Sequence, residues 1–161
     1  MPTVYIETSI ISYLRQQPSG QVIAAARQLL TRRWWDGDRH GYTLVTSQYV
    51  LDEAAMGDPR LAAERLLALA GMPLLDSPVE VPQLAQEILS RAILPSAAQV
   101  DALHIAIAAF HAVDYLLTWN CTHIANARIL PRLRTVLTDL GYSVPVICTP
   151  EEMVGENEDD H

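Results

Sequence analysis

Residues 96–112 have the sequence SAAQVDALHIAIAAFHA, which predicts a helix at the centre of the protein. Ser96 and Gln99 match the capping-box pattern that begins many helices. Beyond Asp101, almost every position is Ala, Ile, Leu or Phe, so the helix is apolar on nearly all sides. A helix of this kind is buried against other elements. We therefore expect it to run to about Ala112 inside the core.

Outward from this helix, the sequence predicts short apolar strands that alternate with helices. The predicted strands are residues 4–6, 42–46, 114–118 and 145–148, with a further short strand at 73–75. The other predicted helices are residues 10–15, 21–35, 47–55, 58–71, 81–93 and 122–140, with Ser47 and Asp58 as N-caps and with Pro131 inside the last helix. Such alternation is typical of a parallel sheet covered on both faces. We expect one domain, residues 1–150, and then an acidic, frayed tail, residues 151–161.

The composition is that of an acidic globular protein. Half of the 161 residues are apolar, 19% are charged, and the formal net charge is −8. This charge argues against a protein that coats nucleic acid by bulk attraction, but it allows an enzyme that binds one short stretch.

The location of the protein follows from its apolar runs and its cysteines. No apolar run approaches the ~20 residues of a membrane span, and the first residues lack a signal-peptide pattern. Cys121 and Cys148 have a spacing that fits no zinc site, and we expect both to be reduced. The sequence therefore predicts a cytoplasmic protein without membrane association.

Four oxygen-bearing side chains fall where predicted strands end or where the following helices begin. Glu7 ends the first strand, and Asn120 follows the strand at 114–118. Asp101 lies near the start of the central helix, and Glu53 lies on the helix after the second strand. Open parallel sheets form their binding sites at this edge. We therefore expect these four side chains to point at one place.

Each of these residues also has a purely structural interpretation. Glu7 could be an exposed strand end, although a glutamate that closes a buried strand is costly unless it is paired or metal-bound. Asp101 could serve only the helix dipole. Glu53, like its neighbour Asp52, could be plain surface, and Asn120 could be a turn residue. The set favours a functional site more strongly than any single member does.

The chemistry of the set indicates a metal site. Three crowded carboxylates repel one another unless a cation neutralises them. Ligands that are all oxygen select hard cations, here Mg²⁺ or Mn²⁺. Such a cation lowers the pKa of a bound water, positions it, and stabilises the charge on a phosphate under attack. The pattern therefore predicts metal-assisted hydrolysis.

Four segments, taken in order, resemble the acidic motifs of PIN-domain ribonucleases. These segments are YIETS at residues 5–9, SQYVLDE at 47–53, DALHIA at 101–106 and LLTWN at 116–120. The resemblance covers roughly residues 3–149. It departs from the usual pattern at two positions: Glu7 stands where Asp is usual, and Asn120 stands where Asp is frequent.

The resemblance implies a PIN-like three-layer α/β/α sandwich around a mostly parallel sheet, and an endoribonuclease that uses Mg²⁺ or Mn²⁺. Catalysis would involve Glu7, Glu53, Asp101 and Asn120, the first three as metal ligands. Supporting hydroxyls or phosphate contacts would come from Thr8, Ser9 and Thr118. Many similar bacterial proteins are VapC-like toxins, so the implied partners are an RNA substrate, a cognate antitoxin and a second copy of the chain.

Histidines and aromatic residues leave further alternatives open. His104, one helical turn after Asp101, either supports a residue of the site from behind or, as we favour, is a hydrogen-bonded core histidine. His123 and Asn126 could line the same cleft. Residues 32–35, RRWW, mix cations with aromatics as RNA-stacking surfaces do, but we favour a helix end whose tryptophans pack inward.

Two other functions compete with the ribonuclease. The departures at Glu7 and Asn120 motivate the first, a catalytically silent PIN-like module that binds a protein or RNA partner. The second is a phosphatase-like hydrolase. We rank the phosphatase last because the first strand lacks the D-x-D pattern that an aspartyl nucleophile requires.

Overall fold

The computed structural model describes residues 1–92 and 94–153 and consists of a five-stranded parallel sheet with helices around it. The strands are β1 (Thr3–Ile6), β2 (Thr43–Ser47), β3 (Leu74–Leu75), β4 (Tyr115–Leu117) and β5 (Val146–Cys148). The helices are α1 (Thr8–Arg15), α2 (Val22–Asp36), α3 (Gln48–Ala54), α4 (Pro59–Leu69), α5 (Glu80–Arg91), α6 (Gln99–Phe110), α7 (Leu130–Asp139) and α8 (Pro150–Met153). The predicted three-layer α/β/α class is confirmed.

The strand order is β3-β2-β1-β4-β5, and every neighbouring pair is parallel. The chain moves outward from β1 through β2 to β3, then crosses back to lay β4 on the other side of β1. The order therefore reverses between β1 and β4. In open sheets of this kind, ligands bind beyond the carboxyl ends of the strands at such a reversal.

The central strand and the predicted central helix form the core. Val4, Tyr5 and Ile6 of β1 are fully buried, as expected of a parallel strand covered on both faces. In α6, Ala102 and every residue from His104 to Ala109 are buried. The capping box at Ser96 is not formed, because Ala98 donates its N–H to the carbonyl of Pro95 in a short 3-10 turn, and α6 begins after it at Gln99.

The predicted helix over residues 122–140 is wrong in its first half, since α7 begins only at Leu130. Asn120 and Asn126 use their side-chain oxygens to accept nearby backbone N–H groups, and such local bonds compete with helix formation. Pro131 then falls in the first turn of α7, where a proline is tolerated.

Other local predictions have mixed outcomes. Asp58 caps α4 as expected, accepting the N–H groups of Arg60 and Leu61. Trp34 and Trp35 are buried, so they pack inward as favoured and do not form a stacking surface. Within the described residues, no helix combines the length and apolar character that a bilayer crossing needs.

At the carboxyl end, α8 extends ordered structure past the boundary predicted at residue 150, to Met153, and contacts α2. The rest of the predicted tail, residues 154–161, and Ile93 of the predicted helix 81–93 lie outside the described residues.

Candidate functional site

The candidate site lies where β1 and β4 end, at the reversal of strand order. Glu7 directly follows β1, and its N–H donates to the carbonyl of Leu117 at the end of β4. The hydroxyl of Thr118 donates to Oε1 of Glu7 over 2.6 Å. The first and fourth motifs are therefore joined directly across the two central strands.

The carboxylate of Glu7 is almost completely buried, with 4% of the residue exposed. Its Oε2 accepts the backbone N–H of Ser9 at 2.8 Å, so Glu7 is the N-cap of α1. Its Oε1 accepts the hydroxyls of Ser9 at 2.7 Å and of Thr118. Three donors thus satisfy the buried anion, which removes much of the cost of burying it. The exposed-strand-end interpretation of Glu7 is excluded.

Ser9 and Thr118 each hold Glu7 and the end of β4 at the same time. The Ser9 hydroxyl accepts the N–H of Trp119 at 2.8 Å, and the Thr118 hydroxyl accepts the N–H of Asn120 at 2.9 Å. Each hydroxyl donates a hydrogen bond to Glu7 and accepts one from a backbone N–H. The carboxylate therefore fixes the path of the chain at residues 118–120. These two residues therefore support the site through hydrogen bonds.

Glu53 lies near the carboxyl end of α3 and faces Thr8 and His104. Its Oε1 accepts the Thr8 hydroxyl at 2.7 Å and lies 2.5 Å from Nε2 of His104. Burial raises the pKa of the Glu53 carboxyl, but the hydrogen bonds from His104 and Thr8 and the charge of His104 outweigh it, so the pKa lies below its ordinary value. Glu53 is therefore an ionised acceptor near neutral pH, with 34% of its side chain exposed.

His104 fits both interpretations drawn from the sequence. It is a fully buried, hydrogen-bonded core histidine, and it also contacts a site carboxylate. Its Nδ1 lies 2.8 Å from the Tyr5 hydroxyl, which in turn lies 2.6 Å from the Ser47 hydroxyl. Ser47 precedes α3 but makes no side-chain capping bond, because its hydroxyl is directed to Tyr5 instead.

Asp101, in the first turn of α6, is paired with His123. Its Oδ2 lies 2.9 Å from Nδ1 of His123, so His123 lines the site as considered. Asn120 accepts the backbone N–H groups of Thr122 and His123 through Oδ1, which is the geometry of a turn residue. The side chain of Asn126 bonds to the nearby backbone of Cys121 and Arg128 and, within the described residues, does not join the site.

These contacts form two hydrogen-bond networks. The first connects Asp101, His123, Asn120, Thr118, Glu7 and Ser9. The second connects Thr8, Glu53, His104, Tyr5 and Ser47. Together they contain all seven residues predicted for the site, and they lie side by side because Glu7 of the first network precedes Thr8 of the second. Tyr5 and Ser47 were missed in sequence analysis, since the strand pattern gives no sign of a hydroxyl pair within the core.

Within the described residues, each acid contacts hydrogen-bond donors: three for Glu7, two for Glu53 and one for Asp101. Within residues 1–92 and 94–153, no three His, Cys, Asp or Glu side chains form a ready-made cation site. The donor set nevertheless fits a hard divalent cation, because all three acids offer oxygen. In addition, Glu53 Oε2 and Asp101 Oδ1 accept no hydrogen bond from the described part of the chain.

Comparison with known proteins finds the same fold in two solved structures. One is VapC20 of Mycobacterium tuberculosis, a Sarcin-Ricin loop cleaving toxin, with a TM-score of 0.55 and 19% identity over 74% of this chain and 91% of that one. The other is VapBC2 of Rickettsia felis bound to a DNA fragment from their promoter, with a TM-score of 0.57 and 13% identity over 91% of this chain and 98% of the matched chain. No protein-family model and no curated protein sequence matches the chain. The chain therefore has the fold of these VapC and VapBC structures.

Proposed function

We propose that this chain is a PIN-type endoribonuclease that hydrolyses RNA phosphodiester bonds with Mg²⁺ or Mn²⁺, and that it is the toxin of a toxin–antitoxin pair. The observation that carries the proposal is the pair of hydrogen-bond networks at the reversal of strand order, where Glu7, Glu53 and Asp101 are held by donors from the start of α1, from α6 and from residues 118–123. The fold is shared with VapC20, a toxin that cleaves the Sarcin-Ricin loop.

The proposed metal ligands are Glu7, Glu53 and Asp101. Once bound, the cation would supply an activated water and would neutralise charge on the attacked phosphate. The chain's own contribution is to hold these acids in place. Thr8 fixes Oε1 of Glu53, while Ser9 and Thr118 fix Glu7. Asn120 shapes the turn that brings His123 to Asp101.

The overall charge supports a need for the cation. The chain has a formal net charge of −8, so its long-range field opposes the approach of RNA. Three of the carboxylates that contribute to this charge belong to the site. A divalent cation held by these acids would offset their charge and would attract a phosphate, which is why we expect RNA binding at the site to depend on metal.

The proposed protein partners are a cognate antitoxin and a second copy of the chain. An antitoxin is supported by the fold shared with the VapBC2 complex. The expectations of a homodimer and of a cytoplasmic location come from the resemblance and from the sequence, respectively, and both are part of the proposal.

Incubation of purified protein with RNA that contains a sarcin–ricin loop tests the activity. We expect cleavage with Mn²⁺ and none with EDTA. Asp101→Asn removes a proposed ligand and should abolish cleavage. Asp52→Asn is the matched control, because Asp52 neighbours Glu53 but bonds only to Gln48, and it should cleave like the wild type. Total cellular RNA serves as a second substrate.

Two results would contradict the proposal. Cleavage that persists in Asp101→Asn or in EDTA would exclude the proposed metal site. RNA binding without cleavage of either substrate would instead support the catalytically silent module. Copurification of a short partner protein, expressed from the adjoining gene, tests the antitoxin part separately.

A further inference from the structure

A line of buried polar side chains runs from the core to Glu53 and is not accounted for by the fold alone. Ser47, Tyr5 and His104 are all fully buried. They come from the end of β2, from β1 and from α6, and successive polar atoms lie 2.6, 2.8 and 2.5 Å apart up to Oε1 of Glu53. Fully buried positions are mostly occupied by apolar residues, so these polar groups need an explanation of their own.

One hydrogen bond in this line has a direction that is fixed by its chemistry. An ionised carboxylate can only accept, so Nε2 of His104 donates to Glu53. The contacts between Nδ1 of His104 and the Tyr5 hydroxyl, and between the Tyr5 and Ser47 hydroxyls, can form with either atom as the donor. Each polar atom of the line therefore has a hydrogen-bond partner, as buried polar groups require.

The line fixes one oxygen of Glu53 and leaves the other available. His104 and Thr8 both bond to Oε1, whereas Oε2 accepts no hydrogen bond from the described part of the chain. A glutamate side chain has several rotatable bonds. Without these partners, ordering it when a cation binds would cost conformational entropy. Partners behind a ligand that fix its orientation commonly contribute 10–100-fold to metal affinity.

We infer that His104 and Tyr5 are positioning residues, which hold Oε1 of Glu53 so that Oε2 is directed to a divalent cation. The inference rests on the proposed function, because the cation is part of that proposal. It gives the Tyr5 hydroxyl a role in the site, in addition to the packing of the Tyr5 ring in the central strand.

Calorimetric titration with Mn²⁺ alone, without RNA, tests the inference. Tyr5→Phe removes only the oxygen and should weaken Mn²⁺ binding about tenfold. Tyr49→Phe is the matched control, because Tyr49 is on α3 with Glu53 but its hydroxyl bonds to Ser77, and binding should be unchanged. His104→Gln, which retains an N–H donor, should bind Mn²⁺ more tightly than His104→Leu. Equal affinities in the wild type and Tyr5→Phe would overturn the inference.

Nitrogen-15 NMR of the His104 ring is measured on the metal-free wild-type protein, so this test does not depend on whether a variant folds. We expect Nε2 to be protonated, because it donates to Glu53; an unprotonated Nε2 would overturn the inference. A wild type that fails to cleave RNA while Tyr5→Phe still weakens Mn²⁺ binding would reject the ribonuclease and leave the positioning role standing. A wild type that binds no Mn²⁺ would reject both.

Discussion

The Thr118 hydroxyl donates a 2.6 Å hydrogen bond to Oε1 of Glu7, a residue 111 positions earlier in the chain. The bond joins the ends of the two strands between which the order of the sheet reverses. The same atoms therefore belong to the proposed site and hold the ends of the two central strands together. A change at this contact is therefore expected to affect both stability and activity.

Thr118→Val tests this contact with little change in volume. The variant loses the donor to Glu7 and the acceptor for the Asn120 N–H, and a hydrogen bond to a charged group contributes roughly 1.5–3 kcal/mol. We expect the free energy of unfolding in urea to fall by about 2 kcal/mol. Thr135→Val is the control, because its exposed hydroxyl bonds only to the Pro131 carbonyl. A drop of the same size in both variants would contradict the prediction.

Metal binding should raise thermal stability, since a ligand that binds only the folded state stabilises it. We expect Mn²⁺ at millimolar concentration to raise the melting temperature of the wild type. The double change Glu53→Gln with Asp101→Asn removes both acids that retain an unbonded oxygen and should abolish the rise. The double change Asp52→Asn with Asp139→Asn, which removes the same charge elsewhere, should preserve it. A metal response that survives the first double change would exclude these acids as ligands.

Asn120 should tolerate aspartate better than alanine. Its Oδ1 accepts two backbone N–H groups, and an aspartate oxygen accepts them equally well. Asn120→Ala should lower the free energy of unfolding by about 1 kcal/mol, as for other lost caps, and Asn120→Asp should leave it nearly unchanged. The added charge of Asn120→Asp should also tighten Mn²⁺ binding, measured by calorimetry. Equal stability of the two variants would exclude the turn role.

Alkaline pH should destabilise the protein partly through Cys148. Burial, and then the nearby charge of Glu152, raise the pKa of this thiol from 9.0 to about 12. Because the folded value is the higher one, the stabilising contribution is complete below pH 9 and is lost as the pH rises toward 12. In urea unfolding followed across this range, Cys148→Ala should lose stability less steeply than the wild type. Cys121→Ala, which changes an exposed cysteine, should follow the wild type.

The parts of the fold that could be predicted are those set by local pattern. The buried run of β1 and the apolar surface of α6 depend on burial alone, and both were found as expected. The first half of the helix predicted over residues 122–140 was wrong because the side chains of Asn120 and Asn126 accept backbone N–H groups there, and apolar spacing gives no sign of such bonds.

The site was predictable as far as strand ends determine it. Glu7 and Thr118 follow neighbouring strands, so the topology alone brings them together. The partners of each acid were harder to predict. The pairing of His104 with Tyr5 depends on how far α6 lies from β1, and the pairing of His123 with Asp101 depends on an irregular turn. The spacing of residues along the chain encodes neither the separation of α6 from β1 nor the shape of this turn.

The N-cap role of Glu7 has a practical consequence for producing this protein. The proposed toxic ribonuclease would be best expressed as an inactive form, and the first acid of the motif is the obvious residue to replace. Here Glu7→Ala would leave the hydroxyls of Ser9 and Thr118 without their acceptor inside the core and would uncap α1. Asp101, which is partly exposed and paired only with His123, is the better choice for an inactive form that keeps its native shape for crystallisation or antitoxin capture.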